Sequence, residues 1–122
     1  MHIIIPWEHV VSKNQKITVW NGRRPALTGA YRAAKEAVHE LAKEQVDQEP
    51  YDSSVKIEFH MYPPDRRRRD ILNYTQLICD GIEGIAYTND WRIDEALIVR
   101  GGVDKLDPRV EVRIYGYEER RP

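Results

Sequence analysis

The stretch Val55-Lys56-Ile57-Glu58-Phe59-His60-Met61-Tyr62 alternates apolar with polar side chains. That period of two marks a strand with one face on a core and the other toward water. It stops at Pro63-Pro64, residues with no N–H to give to a ladder, so it reads as one complete central strand. Upstream, Tyr31, Ala34, Val38, Leu41, Ala42 and Val46 keep helical spacing, which predicts a helix from Thr28 as N-cap to about Val46, with Pro50 beyond its end. Downstream, Asp70 is placed to cap a second helix running to about Glu83, with Ile71, Tyr74, Ile78 and Ile82 on one face and Asn73, Asp80 and Gly84 on another.

Further strands are expected at both ends. Met1 to Trp7 is Ile-rich and broken by Pro6, and Lys16 to Trp20 alternates before the turn signal Asn21-Gly22, predicting a short hairpin. After the polar turn Thr88-Asn89-Asp90, strands are predicted near Leu97 to Arg100 and Val110 to Tyr115, separated by Gly101-Gly102 and Pro108. The order of elements argues an α+β fold, a small mixed sheet with the two main helices packed on one face.

A chain of 122 residues with 41% hydrophobic and 32% charged residues and a net charge of -1 suits one domain, 1–122, and excludes a two-domain reading. Such a chain buries roughly two-thirds of its unfolded surface. A site needing a large cavity would recruit a second subunit, so a homodimer is expected. The single cysteine, Cys79, supports neither an intramolecular disulfide nor a zinc cluster, and its apolar surroundings predict a buried thiol and a cytoplasmic home. Ile3-Ile4-Ile5 ends at Pro6, far short of the roughly 20 residues that span a bilayer, and no membrane association is expected.

The near-zero net charge hides segregation. From His9 to Lys35 the chain carries Lys13, Lys16, Arg23, Arg24, Arg32 and Lys35 and no acidic residue. Arg66-Arg67-Arg68-Arg69 stands between Asp65 and Asp70, and the two regions hold ten of the nineteen basic residues. Arg outnumbers Lys thirteen to six, and the guanidinium fork suits bidentate phosphate contact.

Asp70, Asn73 and Asp80 fall within a few turns on neighbouring sides of the second helix, and Asp90 follows after one connection. Carboxylates beside a phosphate-binding Arg cluster are the residue set of Mg²⁺-assisted phosphodiester hydrolysis. Each has a plainer alternative: Asp70 as a helix cap, Asp80 as an exposed helix acid, Asp90 as a turn residue beside Asn89. His2, His9, His39 and His60 show no metal-ligand spacing, and His60 reads as a sheet-face residue. A module stacking single-stranded bases on Trp20 or Trp91 is a third reading.

Over Phe59-His60-Met61 through Arg66-Arg67-Arg68-Arg69-Asp70-Ile71-Leu72-Asn73, then Asp80 and Tyr87-Thr88-Asn89-Asp90, the sequence resembles the RusA family of Holliday-junction resolvases of bacteria and their phages. Pro6, Ser12-Lys13-Asn14 and Leu27-Thr28 leading to Tyr31-Arg32 are similar to that family's opening loop and first helix. The resemblance implies a small homodimer that binds four-way DNA and cuts symmetrically related strands with Mg²⁺, or Mn²⁺ in its place, using aspartates of both subunits. Carried onto this chain, it implies Asp70 and Asp90 as metal ligands; together with the charge pattern, the reading adds Asn73 and Asp80 in support and Arg66, Arg67, Arg68, Arg69, Lys13, Lys16, Arg23 and Arg24 on DNA.

The family motif is Asp-x-Asp-Asn, a Lys three residues on, and a later Asp-Asp pair. Here Leu72 stands at the second Asp, Gln76 at the Lys, and Asn89-Asp90 at the pair. The expected function is a structure-selective endonuclease, with a junction-binding relative that has lost catalysis as the alternative.

Overall fold

The computed structural model describes residues 1–10, 17–21, 24–27 and 29–117, with 17–21 and 24–27 described by backbone alone. The predicted N-cap Thr28 and the basic residues Lys13, Lys16 and Arg23 lie outside the described residues, as do the side chains of Trp20 and Arg24. The elements are β1 (His2–Pro6), β2 (Ile17–Asn21), β3 (Arg24–Leu27), α1 (Gly29–Gln45), β4 (Val55–Tyr62), α2 (Leu72–Ile82), β5 (Ile93–Arg100) and β6 (Arg109–Gly116), with 3-10 turns at Trp7–His9 and Asp90–Arg92. This is the expected α+β class. The main sheet runs β1-β6-β4-β5, and β2 and β3 form the anticipated hairpin.

The alternation that predicted β4 is the alternation of its burial. Val55, Ile57, Phe59 and Met61 are buried, while Lys56, Glu58, His60 and Tyr62 are half-buried on the opposite face. β6 repeats the pattern with Val110, Val112 and Ile114 inward, and its antiparallel register sets Ile57 against Ile114 and Phe59 against Val112. Ile3 and Ile5 of β1 complete the buried sheet face, on which Tyr31, Val38 and Ala42 of α1 and Leu77, Ile78 and Ile82 of α2 close the core. Each fully buried Val, Leu or Ile among them contributes about 1.5–3 kcal/mol. His60 is on the outer sheet face, with Nε2 3.2 Å from Glu58 Oε1.

The two helices approach closely at Gly81, where a Cβ would come within 2.6 Å of Val38 Cγ1. His39 Nδ1 lies 2.9 Å from the Gly81 carbonyl at the same crossing. At the other end of α1, the Gln45 side-chain amide accepts from Ile4 N at 2.7 Å and donates to Ile4 O at 2.8 Å. That amide occupies the backbone groups that an edge strand leaves open.

β4 and β5 are parallel, with Phe59 opposite Ile98 and Met61 opposite Arg100, and α2 lies in the connection between them. β5 begins at Ile93, four residues before the predicted start. Its polar opening, Asp94-Glu95, gave no strand signal because this edge strand is exposed over Asp94, Glu95, Ala96 and Leu97 and so carries no one-sided alternation.

Candidate nucleic-acid interface and acidic site

The chain leaves β4 at the carboxyl end of two parallel strands, the edge of a sheet where ligand-binding loops collect in open α/β arrangements. Asp65 organises the exit: Oδ1 accepts from Arg67 N at 2.9 Å and pairs with Arg69 Nη1 at 2.8 Å. The Arg69 guanidinium, with the Arg67 N–H, holds the Asp65 carboxyl below its usual range. Arg69 also lies 5.4 Å from the Trp7 ring centroid, and Trp7 in turn stands 5.5 Å from Tyr74. Its carbonyl accepts from Arg100 Nη2 at 2.9 Å. With its side chain only 11% exposed, Arg69 is the arginine that anchors the loop to the protein. Arg66, Arg67 and Arg68 are exposed, and with Asp70 and Arg100 they line an open groove of about 470 Å³.

Arg100 escaped sequence reasoning because it is thirty-one residues from Arg69. The signal lay in the parallel pairing, which sets Arg100 opposite Met61 at the end of β4.

Asp70 is exposed at the head of α2. Its Oδ1 accepts from Leu72 N at 3.1 Å and its carbonyl from Asn73 N at 3.0 Å, so it caps the helix as anticipated, from one position before the formal N-cap Ile71. Asn73, Gln76 and Asp80 follow along a half-buried stripe of α2 at i, i+3 and i+7 spacing. Asp80 is committed to the helix interface: Oδ1 accepts from Gln76 Nε2 at 2.9 Å, and Oδ2 accepts a short hydrogen bond from the Tyr31 hydroxyl of α1. Burial and Asp80 together push the Tyr31 hydroxyl well above its ordinary pKa. Leu72, at the position of the family's second aspartate, is 57% exposed.

Asp90 is positioned by a different set of contacts. Gly84, at φ 88°, turns the chain out of α2, a conformation that glycine adopts at little cost. Tyr87 then returns into the core and donates its hydroxyl to the Cys79 carbonyl at 2.8 Å. Asn89 Oδ1 accepts from Trp91 N at 3.4 Å, and Asp90 N donates to Glu83 Oε2 at 3.2 Å. Asp52 braces the turn from outside, accepting from Thr88 Oγ1 at 2.8 Å and Arg92 Nη2 at 3.0 Å. Nothing local in the sequence marks Asp52, whose role arises only because the segment near Tyr51 pairs with the backbone of Ala86 and Thr88. Trp91 is 65% exposed and carries the Arg92 guanidinium 4.1 Å from its ring centroid.

One chain therefore presents Asp70 before the first turn of α2 and Asp90 beside Glu83 just past the last. The eleven-residue helix between them is about 16 Å long. Among the described residues no three His, Cys, Asp or Glu side chains come together as a metal-binding group. Cys79 is largely buried as expected, and its burial pushes the thiol up to about 11.

The arginine-lined groove with an exposed carboxylate at its rim is a surface whose guanidinium forks suit phosphate groups. The family model for Endodeoxyribonuclease RusA matches residues 6–115, and the chain belongs to that family. Membership makes it one of a family of endonucleases that resolve Holliday junctions, with branched DNA as the ligand class. No curated protein matches the chain at a significant level. Among the described residues no helix is long and apolar enough to cross a membrane.

Proposed function

We propose that this chain is a Mg²⁺-dependent, structure-selective endodeoxyribonuclease that resolves Holliday junctions as a homodimer, in DNA recombination and repair in the cytoplasm of a bacterium or phage-infected host. The observation that carries this reading is Asp70, exposed at the rim of the groove formed by Arg66, Arg67, Arg68 and Arg100. The arginines hold the phosphates flanking the scissile bond, and Asp70 faces the phosphate that they hold.

The donor set fits a hard divalent cation. Asp70 and Asp90 are exposed carboxylates at opposite ends of α2, so an ion held by both would take one from each subunit of the homodimer, and Mg²⁺ is satisfied by one or two carboxylates with waters completing its shell. Only Oδ1 of Asp70 is engaged by a hydrogen bond among the described residues, which leaves a ligand oxygen. When bound, the ion stabilises charge developing on the phosphate. Asp90 is held by Glu83 and, through Thr88 and Arg92, by Asp52, and Asn73 stands one turn from Asp70. A homodimer is supported by the two-fold symmetry of a four-way junction, which a C2 pair matches with two equivalent sites. It is supported also by the exposed Trp91 and Leu97 at the β5 side of the sheet.

A second reading is favoured by Leu72 and Gln76: a junction-binding protein of the same fold that has lost catalysis. The deciding experiment is cleavage of a labelled synthetic Holliday junction with Mg²⁺ and with Mn²⁺, beside a binding gel and the variants Asp70→Asn and Asp90→Asn. Paired nicks that fall by about 100-fold or more in either variant are the expected result. Tight binding with no nicks from the unaltered chain overturns the enzymatic reading in favour of the second.

A further inference from the structure

The loop from Gly101 to Pro108 joins β5 to β6 beside the arginine groove and is fastened along its length. Asp104 N donates to the Pro63 carbonyl at 2.9 Å, and Trp7 N donates to the Pro108 carbonyl at 3.0 Å. Asp104 Oδ1 accepts from Leu106 N at 3.2 Å and Asp107 N at 3.0 Å. Arg109 Nη1 pairs with Asp104 Oδ2 at 2.9 Å and donates to the Asp107 carbonyl at 2.9 Å, while the same guanidinium sits 4.4 Å from the Tyr62 ring centroid. Both loop carboxylates thus face Arg109, Asp104 directly and Asp107 at 3.9 Å, and the same guanidinium also pairs with Glu111 at 2.8 Å, which fastens the base of the loop to β6.

At the apex of this braced loop stands Leu106, 99% exposed. Single exposed apolar residues are common on protein surfaces. This one differs in being held out on a loop whose backbone is tied at both ends and across its middle. It also differs in its surroundings: the adjacent Lys105 shares a groove of about 500 Å³ with Arg66, Val103 and Asp65, the last paired with Arg69, and Arg66 also lines the groove of Asp70. The apex is therefore an apolar tooth beside two exposed cations, Arg66 and Lys105, a pairing that suits DNA, with its anionic backbone and apolar base stack.

We propose that Leu106 is a wedge that enters the base stack of branched DNA next to the crossover while Arg66 and Lys105 hold the adjoining phosphates. The inference rests on the reading of this chain as a branched-DNA-binding protein. Apolar side chains inserted at a base step unstack it, and unstacking costs least where stacking is already interrupted, as at the branch point. Preference for branched over continuous duplex then arises partly from this loop and needs no base-specific hydrogen bond. A rigid loop serves the purpose because the insertion costs no ordering of the protein.

The test uses the full chain and a synthetic four-way junction carrying 2-aminopurine at the crossover, in Ca²⁺ so that no strand is cut, with a binding gel in parallel. The expected result is a severalfold rise in 2-aminopurine fluorescence on binding. That rise should be lost in Leu106→Ala and kept in Leu106→Met, with both variants still forming the complex. Leu106→Ala should also lower the preference for junction over linear duplex by about tenfold or less, leaving linear-duplex affinity unchanged. A complex that forms without any rise, or an alanine variant as bright as the unaltered chain, overturns the wedge while leaving the DNA-binding reading intact. An alanine variant whose mass in solution falls from that of a dimer to that of a monomer overturns it too, by assigning Leu106 to a contact between copies. An unaltered chain that forms no junction complex overturns the underlying reading and the wedge with it.

Discussion

Gln76 Nε2 donates to Asp80 Oδ1 at 2.9 Å, one turn along α2, and the other oxygen of the same carboxylate accepts from Tyr31 on α1. The residue at the position of the family's lysine is thus tied into a helix-to-helix contact. Asp80 couples the half-buried side of α2 to the core, and it does so from a helical angle well away from that of Leu72.

Replacing Asp80 with alanine removes the acceptor that it provides for the Tyr31 hydroxyl. The expected cost is about 1–3 kcal/mol of stability, read as a fall of several degrees in the midpoint of thermal unfolding. Tyr31→Phe should cost less, because it removes donor and acceptor demand together at one end of the bond. Junction binding by either variant at low temperature should match that of the unaltered chain.

At Gly81 two effects oppose each other. Alanine improves intrinsic helix propensity by about 1 kcal/mol, but its Cβ would sit 2.6 Å from Val38 Cγ1 and 3.2 Å from the Lys35 carbonyl. Overpacking of that kind costs about 1–3 kcal/mol, and since the backbone carbonyl is one of the obstructing atoms, the steric term wins. Gly81→Ala should lower the midpoint of urea unfolding with an unchanged slope.

The four arginines of the 66–69 run should separate into two behaviours. Arg66→Ala or Arg67→Ala should weaken binding to all DNA sequences alike and reduce the slope of log affinity against log salt by about one, with stability unchanged within about 0.5 kcal/mol. Arg69→Ala should instead lower thermal stability, because Asp65 loses its ion-pair partner and Trp7 the guanidinium beside it. Salt-titrated binding and thermal unfolding of each variant check the division.

The contrast between Arg69 and its neighbours also marks what was legible in the sequence. Alternation along β4, helical spacing along α1 and the adjacency of the Arg run to Asp70 are local patterns, and each survives in the structure because local geometry produces it. Arg100, Asp52 and the orientation of Asp80 were not legible. The first depends on the register of two parallel strands, the second on a loop pairing with the segment before Asp90, and the third on how closely α1 and α2 approach at Gly81. The predicted start of β5 near Leu97 falls short of Ile93 for a related reason, since an edge strand open to solvent leaves no one-sided burial to write into its side chains.

Stability should fall at both ends of the pH range. Asp65 is held below its ordinary 3.8 by Arg69 and the Arg67 N–H, and Asp104 by the Asp107 N–H and Arg109. Burial pushes Glu58 and Glu111 up, but hydrogen bonds from His60 and Lys56 to the former and from Arg109 to the latter outweigh it, leaving both below 4.5. Groups lowered in the folded state stabilise it above their unfolded pKa, and that contribution is lost as pH falls through the folded value. Stability should therefore decline progressively below about 4.5, gently at high salt, where exposed pairs are screened. Burial raises Cys79 to about 11 and moves Tyr31 and Tyr87 above their ordinary 10.0. Their contribution is complete below their unfolded values and lost as pH rises, from about 9 for Cys79 and about 10 for the tyrosines. Thermal unfolding followed across pH 3 to 11 should give a plateau between about 5 and 9.

The Gln45 amide that occupies the backbone of Ile4 has a consequence for how copies of this chain can meet. Among the described residues of the main sheet, that side chain covers the Ile4 backbone on the outer rim of β1, while β5 forms the opposite rim. Strand addition at the β1 rim would first have to displace the glutamine, which biases edge-to-edge contact between copies toward β5. A glutamine on α1 thus works against strand addition at β1, the kind of edge contact from which open-ended association grows.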